Sequence, residues 1–365
     1  MKVTFVLPPV NLSGGIRSTA ALAEALIHRG HDVLAVCPPN RHPSFGRRIK
    51  FLLKGQGEIF VPSSGPSHFD DVDVPLKVVN HPAPITDADL PDADIVVATW
   101  WETAEWVAKF SKSKGAKVYF IRHHEVHDYL PKERVKATYA LPMHKITISE
   151  WLVNLMRMQY GDDNVSLVPN SIDPHKYYAS SRGKQLVPTV GLMYSTTYWK
   201  GCDVSLKAFS LAAQKIPNLR LVAFGLKAPS PKLPLPEGTK YTLQPAQEII
   251  KDFYSKCDVW LFGSRTEGFG RPILEAMACR TPVIGTPAGA APELLALGGG
   301  ILVQPEDPED MAKAIMRVCQ LSTQEWQIMS TNAYKTAMNY TWDNAAKLCE
   351  EAFAWAIKRT QKGEI

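Results

Sequence analysis

Several signals of specialised protein classes are missing from this sequence. No run of about 18 apolar residues occurs, so nothing has the length and hydrophobicity of a membrane-spanning helix. The six cysteines form no CxxC or Cys/His pair, which argues against a zinc site or a disulfide scaffold and favours a reducing compartment. The apolar run 1–7 is too short for a signal-peptide core, so we expect a cytoplasmic protein.

The composition is that of an ordinary globular chain. It is 45% hydrophobic and 21% charged, and its net charge of +5 is too modest to indicate nucleic-acid binding. We find no internal repeat and no low-complexity tract. A length of 365 residues favours about two domains.

Strand-like and helix-like segments alternate along the chain, which is typical of parallel sheets covered on both faces. The predicted strands are 3–7, 32–36, 94–99, 117–121, 145–148, 165–168, 189–193, 219–224, 240–243, 259–262, 283–285 and 300–303. The predicted helices are 16–28, 104–111, 150–160, 203–215, 246–256, 272–279, 291–297 and 307–320, and two long ones after residue 320, broken near Tyr340. The polar, aperiodic segment 169–188 suits a linker, so we predict two doubly wound α/β halves.

The most informative stretch runs from Glu267 to Glu275. It follows a buried strand, contains Gly268 and Gly270, and has Pro272 at a position suited to a helix start. Amides freed by the glycines and the helix dipole attract a diphosphate, while the two carboxylates accept hydrogen bonds from sugar hydroxyls. This pattern indicates a nucleotide-sugar site.

These residues resemble the retaining glycosyltransferases of the GT-B fold, specifically family 4 (glycosyl transferases group 1). Residues 267–284 read EGFGRPILEAMACRTPVI, close to that family's Glu-x7-Glu segment. Further family landmarks are found at Lys200-Gly201, 168–173, Gly14-Gly15 and 340–342. The resemblance therefore covers nearly the whole chain.

The resemblance implies the domain organisation. It predicts a Rossmann-like, acceptor-binding domain at 1–175 and a Rossmann-like domain at 176–342 that binds the nucleotide sugar. A C-terminal helix, 343–365, would return to the first domain.

The resemblance also implies the activity: retaining, metal-independent transfer of a hexosyl or deoxyhexosyl group. The donor would be a nucleotide diphosphate sugar, used as a co-substrate with no cofactor, and the acceptor a glycan, a lipid-linked molecule or a small molecule. Polysaccharide biosynthesis is the expected setting, in the cytoplasm or at the inner membrane face. The donor base and sugar, the acceptor and linkage, and the oligomeric state stay open.

Roles for individual residues follow from the same resemblance. Glu275 would bind the ribose, Glu267 the transferred sugar, and Lys200 the diphosphate, while Gly268, Phe269 and Gly270 would offer backbone amides. The family's arginine after the first strand of this domain is replaced by the run 191–194. Arg265 and Arg271 are the candidates for that second cation, and which of them serves is left open.

The first domain contributes two candidate sites. Gly14 and Gly15 lie between a strand and a helix, where their amides can face a ligand, although no Gly-x-Gly-x-x-Gly fingerprint is present. His123 and His124 follow a strand at its carboxyl end, where open α/β sheets bind ligands. The resemblance places a histidine beside the donor sugar, His124 first and His123 second.

Two further patterns have plainer explanations. Three D-x-D pairs, at 71–73, 87–89 and 92–94, lie in a proline-interrupted loop and are interpreted as solvated turn residues, so no metal site is predicted. The basic amphipathic segment 41–54 is either a peripheral membrane contact or a solvated loop, and we leave both open.

The sequence disfavours two other classes of function. A nucleotide-sugar 2-epimerase would need acidic acid/base residues in the first domain, and the Glu-x7-Glu pattern argues against it. A non-catalytic nucleotide-sugar-binding relative is disfavoured because Lys200, Glu267 and Glu275 are all present.

Overall fold

The computed structural model describes residues 1–39 and 66–365, and the predicted amphipathic segment 41–54 lies outside them. The chain divides into two compact units. The first contains Met1–Ile148, Leu152–Val168 and Ala345–Ile365, and the second contains Ser149–Trp151 and Pro169–Asn344.

The first unit is built on a parallel sheet. Its strands are β1 (Lys2–Val6), β2 (Asp32–Cys37), β3 (Leu76–Val78), β4 (Ile95–Ala98), β5 (Ala116–Ile121), β6 (His144–Thr147) and β7 (Val165–Leu167). The helices in this part of the chain are α1 (Gly14–His28), α2 (Trp101–Val107), α3 (Lys132–Thr138) and α4 (Glu150–Tyr160). The strand order is β3-β2-β1-β4-β5-β6-β7, with all pairs parallel. Every residue of β4 is buried, because a parallel sheet is covered on both faces.

The second unit repeats this architecture. Its strands are β8 (Thr189–Tyr194), β9 (Arg220–Gly225), β10 (Lys240–Leu243), β11 (Val259–Phe262), β12 (Val283–Gly285) and β13 (Gly300–Leu302). Its helices are α5 (Cys202–Ala213), α6 (Ile250–Ser255), α7 (Arg271–Ala278), α8 (Ala291–Leu295), α9 (Pro308–Gln320) and α10 (Thr323–Met338). The order is β10-β9-β8-β11-β12-β13, again parallel. The predicted α/β class with two doubly wound halves is therefore confirmed.

Side-chain caps set several helix starts. Asp307 accepts hydrogen bonds from the N–H groups of Glu309 and Asp310 at the start of α9, and Ser322 forms a capping box with Glu325 at the start of α10. The Thr103 hydroxyl accepts hydrogen bonds from the two N–H groups before α2, and this local cap starts the helix earlier than the predicted residue 104.

Some predictions of local structure were wrong. The edge strand β3 and the helix α3 were not predicted, because β3 has only three residues and α3 buries only Val135 and Thr138, too little for a periodic signal. The predicted helix 246–256 is instead a 3₁₀ turn, Gln247–Ile249, followed by the short α6.

The predicted linker 169–188 packs against the second unit. Arg182 donates to the carbonyl of Cys257 over 2.5 Å and lies over the Trp326 ring at 4.6 Å. The N–H groups of Gln185 and Thr189 both donate to the carboxylate of Asp258. Nearer the start of this segment, the Ile172 N–H donates to the carbonyl of Tyr340, in agreement with a second unit that includes the chain from Pro169 on.

The final helix, α11 (Trp342–Gln361), begins in the second unit and continues in the first. Glu350 accepts a hydrogen bond from Arg29 Nε over 2.8 Å and lies 2.8 Å from His31 Nε2. Hydrogen bonding to Arg29 in particular lowers the pKa of Glu350 to about 2. The helix break near Tyr340 matches the bridge that Thr341 makes with Ile172.

Candidate active site

Two loops of the second unit meet where its strand order reverses. β8 and β11 are neighbours, yet the chain passes through β9 and β10 on one side before it returns to β11. Such a reversal leaves a crevice at the carboxyl edge of the sheet, where ligands bind. The turn Tyr198–Lys200 follows β8, and the glycine-containing loop 263–270 follows β11.

Lys200 and Glu267 are in direct contact in this crevice. Lys200 Nζ donates to Glu267 Oε1 over 2.7 Å, and Ser264 Oγ donates to the same oxygen over 2.9 Å. The Lys200 side chain is 27% exposed and that of Glu267 14%, and both line a small cavity with Pro272. The site thus places a cation beside an acceptor of hydroxyl hydrogen bonds.

Gly201 determines where Lys200 can lie. Its φ of +54° is left-handed, and an added Cβ would be 1.7 Å from the carbonyl oxygen of Gly263. Only glycine permits this close approach between the turn after β8 and the loop after β11. Gly201 therefore allows the turn after β8 to lie close enough to the loop after β11 for Lys200 to contact Glu267.

Arg265 is bound to its surroundings through its whole guanidinium group. It pairs with the carboxylates of Asp203 and Glu306 at 2.8 and 2.5 Å, which raises its pKa. The same side chain donates to the carbonyl of Tyr198, and the Arg265 N–H donates to the carbonyl of Trp199. These contacts hold the turn that carries Lys200.

Glu275 is a buried carboxylate on α7, only 7% exposed. The Tyr254 hydroxyl donates to its Oε2 and Arg271 Nη2 to its Oε1, each over 2.9 Å. Burial, with the Glu275 charge, raises the pKa of Tyr254 well above its ordinary value. The two donors fix the orientation of the carboxylate within the helix.

Two carbonyl groups of the loop between the two glutamates accept hydrogen bonds. The Gly268 carbonyl accepts from Ser149 and Trp151, and the Phe269 carbonyl accepts from the Ala290 N–H over 2.7 Å. Gly270 has a φ of +95° and caps α7, so the chain turns sharply from the loop into the helix.

In the first unit, Gly14 and Gly15 are the first two residues of α1. Their N–H groups therefore belong to the helix terminus, where the dipole favours anions. Arg122, which follows β5, donates from Nη1 to the Gly15 carbonyl over 2.9 Å. This bond links the β1–α1 turn to the segment that contains the two histidines.

His123 and His124 lie directly after β5. His124 Nε2 is 2.9 Å from the Tyr160 hydroxyl, and His123 Nδ1 is 3.0 Å from the His124 carbonyl. Burial, together with the nearby His123 and His127, lowers the pKa of His124, so its ring is neutral near pH 7. Burial alone raises the pKa of the adjacent Glu125 to about 7.

Aspartates of the second and third D-x-D pairs make structural contacts. Asp87 accepts from the Ser111 N–H, Asp89 caps a 3₁₀ turn at Thr86, and Asp92 accepts from Ser113 and Lys114. In residues 1–39 and 66–365, no three His, Cys, Asp or Glu side chains are grouped so that they could hold a metal ion.

The structure thus brings the predicted residues together in separate groups. Lys200, Glu267 and Arg265 form one group and Arg271 with Glu275 another, both in the second unit, while the glycine pair and the histidines belong to the first. Ser264 and Tyr254 were not among the predicted site residues. Ser264 could have been found because it follows β11 at the ligand-binding edge, whereas Tyr254 has no local signal.

Two family models match successive parts of the chain. The model described as Glycosyltransferase Family 4 matches residues 12–176, and the model described as Glycosyl transferases group 1 matches residues 181–336. The second match contains every site residue predicted in the second unit.

Relatives of known activity match part of the chain. A phosphatidylinositol N-acetylglucosaminyltransferase component of Arabidopsis thaliana is 28% identical over 56% of this chain and 47% of its own length. A D-inositol 3-phosphate glycosyltransferase of Stackebrandtia nassauensis is 25% identical over 60% of this chain and 55% of its own. Mannosylfructose-phosphate synthase of Agrobacterium fabrum is 27% identical over 40% and 36%. The chain therefore spans about half, or less, of the length of these relatives.

Solved structures match over nearly the whole chain and show the fold. HepE of Anabaena, in complex with UDP and glucose, superposes with a TM-score of 0.71 at 20% identity, covering 97% of this chain and 100% of HepE. Sucrose-phosphate synthase of Thermosynechococcus elongatus gives 0.71 at 16% identity, covering 98% and 99%. Across the two described stretches of this chain, no helix is long and apolar enough to cross a bilayer.

Proposed function

Because the chain belongs to the glycosyltransferases of group 1 and family 4, with the GT-B fold, we propose that it is a retaining, metal-independent transferase. It moves a hexosyl or deoxyhexosyl group from a nucleotide diphosphate sugar to a glycan, a lipid-linked molecule or a small molecule. The observation that carries this proposal is the contact of Lys200 with Glu267, at 2.7 Å, beside the glycine loop at the strand-order reversal.

The chemistry of sugar transfer matches these groups. Breaking a sugar–phosphate bond develops negative charge on the diphosphate and positive charge on the anomeric carbon, so the enzyme must stabilise the leaving group and hold both sugars. In the proposal, Lys200 stabilises the diphosphate, and the loop amides of Phe269 and Gly270 contact the transferred sugar or the phosphate. Glu267 then accepts hydrogen bonds from the transferred sugar.

The remaining roles complete the donor site. Glu275, fixed by Tyr254 and Arg271, is proposed to accept the ribose hydroxyls. A carboxylate that is already held in position binds the two ribose hydroxyls without reorganising, and this favours tight nucleotide binding.

In the first unit, the amides of Gly14 and Gly15 at the α1 terminus are proposed to lie near the diphosphate and the acceptor. The neutral His124, or else His123, is proposed to contact the donor sugar. Membrane contact through 41–54 stays part of the proposal.

The names of the relatives support the choice of donor and acceptor class. HepE has been crystallised with UDP-glucose, and the names of the matched relatives contain phosphatidylinositol, D-inositol 3-phosphate and mannosylfructose-phosphate. We therefore propose a UDP-sugar as the first donor to test, and an inositol- or sugar-phosphate and a lipid-linked sugar as the first acceptors.

A panel of nucleotide sugars, scored by thermal shift, tests donor binding, because a ligand of the native state raises its melting temperature by mass action. The purified protein is then incubated with the selected donor and each acceptor. NMR of the first-formed product is expected to show retention, with activity unchanged in EDTA. An inverted linkage would contradict retention, and activity lost in EDTA and restored by magnesium would contradict metal independence. Binding without transfer, or conversion of the donor itself, would favour a non-catalytic protein or an epimerase.

A further inference from the structure

We propose that Ser149 and Trp151 are positioning residues that orient the Gly268–Phe269 peptide of the donor-binding loop. The inference rests on the proposed function, and it concerns side chains far from the Glu267–Glu275 motif in sequence. Both residues cluster with the second unit, as the loop does.

Two side-chain donors converge on one carbonyl oxygen. Ser149 Oγ lies 2.8 Å and Trp151 Nε1 2.9 Å from the oxygen of Gly268. A carbonyl oxygen has two lone pairs, so these bonds saturate it. Ser149 is completely buried, which removes water as a substitute donor.

The segment 149–151, which supplies the two hydrogen-bond donors, makes a further contact of its own. Between the two side chains, the Glu150 N–H lies toward the carboxylate of Glu293, a residue of α8, and opposes the rise of its pKa. This contact links the segment 149–151 to α8, apart from the bonds of its side chains to the Gly268 carbonyl.

The planarity of the peptide transmits this constraint to the site. The carbonyl oxygen and the following N–H lie in one rigid plane and point in opposite directions, so a fixed Gly268 oxygen also fixes the direction of the Phe269 N–H. On the other side of Phe269, its own carbonyl accepts from the Ala290 N–H. Within residues 1–39 and 66–365, no protein group accepts the Phe269 N–H, so it is left for a ligand.

This arrangement favours a role in turnover over a role in nucleotide binding. Donors that are aimed in advance at developing charge stabilise the transition state without reorganising. The nucleotide is assigned to Glu275, which accepts hydrogen bonds from Tyr254 and Arg271. A loosened peptide should therefore lower kcat and leave the donor KM nearly unchanged.

The test uses Ser149→Ala, Trp151→Phe and the double variant of the full chain. Because either donor alone still holds the oxygen, each single change should lower kcat no more than about threefold, and the double change about ten- to hundredfold. The donor KM should change less than about threefold. Ser149→Thr combined with Trp151→Phe keeps a hydroxyl donor, so its kcat should stay close to that of Trp151→Phe alone and well above that of Ser149→Ala with Trp151→Phe.

Ser330→Ala with Trp326→Phe is the matched control. Ser330 Oγ donates to the Arg280 carbonyl and Trp326 Nε1 to that of Asp258, so the control removes the same two kinds of bond from other carbonyls of the second unit. If the control variant loses as much melting temperature as the Ser149→Ala, Trp151→Phe double variant, its kcat should still match that of the unaltered protein.

Three outcomes would overturn the inference. They are a kcat as low in the control as in the test variant, a rise in donor KM with kcat unchanged, and no rescue by threonine. An unaltered protein that transfers no sugar from any donor would overturn the proposed function and this inference together, whereas an active one with a fully active double variant would overturn the inference alone.

Discussion

Lys200 and Glu267, which are 67 positions apart in the chain, share a hydrogen bond of 2.7 Å at the carboxyl edge of the second sheet. The cation proposed for the diphosphate therefore also neutralises the carboxylate proposed for the sugar. A change at either residue alters the electrostatics of the other.

Lys200→Ala is expected to weaken binding of the nucleotide diphosphate, and Glu267→Ala mainly to lower kcat. A lost hydrogen bond to a charged group costs about 1.5–3 kcal/mol, or roughly ten- to hundredfold. Because the residues are in contact, the double variant should deviate from additivity by about 0.5–3 kcal/mol. Calorimetric titration and initial rates of all four proteins measure this, and strict additivity would contradict the coupling.

Glu275→Ala should weaken nucleotide binding by a similar factor, and Tyr254→Phe by less, since Arg271 still holds the other carboxylate oxygen. Tyr194→Phe is the control, because this buried tyrosine donates to the Leu233 carbonyl instead. Calorimetry with the diphosphate is the measurement. Unchanged affinity in Glu275→Ala would remove this residue from the nucleotide site.

Gly201→Ala is expected to destabilise the second unit and to reduce donor binding, because the new methyl group would lie 1.7 Å from the Gly263 oxygen. Gly238→Ala isolates the conformational cost alone, since Gly238 also has a positive φ, of +76°, but open space around its Cβ position. That cost is about 1 kcal/mol, and Gly201→Ala should exceed it severalfold. Thermal melts with and without donor compare the two, and equal effects would contradict the steric argument.

Glu293→Gln should stabilise the protein at high pH. Burial, opposed by its bond from the Glu150 N–H, raises the pKa of Glu293 to about 7. The native state then binds this proton more tightly than the unfolded state does, so the free energy of unfolding falls as pH rises from about 4.5 to about 7 and is level above that range. The neutral glutamine removes this loss.

The expected gain from Glu293→Gln is about 1–2 kcal/mol near pH 8 and about zero near pH 5, reduced from the full linkage value because the side chain is only partly buried. Calorimetric unfolding at both pH values tests it, with Glu237→Gln, an exposed glutamate of the same unit, as control. A gain that is equal at both pH values would point to a cause other than titration.

Charge reversal at Arg47 and Arg48 tests membrane contact by the segment 41–54. Each cation contributes about 1 kcal/mol near anionic lipid, so Arg47→Glu with Arg48→Glu should lower vesicle partitioning several- to hundreds-fold and leave donor binding intact. Added salt should act likewise. Co-sedimentation with anionic vesicles measures it, and a failure of the unaltered protein to bind at low salt would leave the solvated-loop interpretation.

Local patterns in the sequence determined most of the framework. Hydrophobic patterns predicted the observed bounds of strands 240–243, 259–262 and 283–285 and of the helix 150–160. These elements are predictable because the hydrophobic pattern of a buried parallel strand or an amphipathic helix lies within consecutive residues. The same holds for the motif from Glu267 to Glu275, whose residues lie in one turn and one helix. Short or polar elements such as β3 and α3 were not predicted, because they bury too few side chains to produce a hydrophobic periodicity.

Only the tertiary structure decided which side chains meet. Lys200 contacts Glu267 because β8 and β11 are neighbours, and strand order is a choice among non-local pairings that no local pattern records. Tyr254 reaches Glu275 from another helix, and Ser149 reaches the Gly268 carbonyl across 119 positions. The sequence supplies the hydrogen-bonding groups, but their partners follow from the strand order and the packing within each unit.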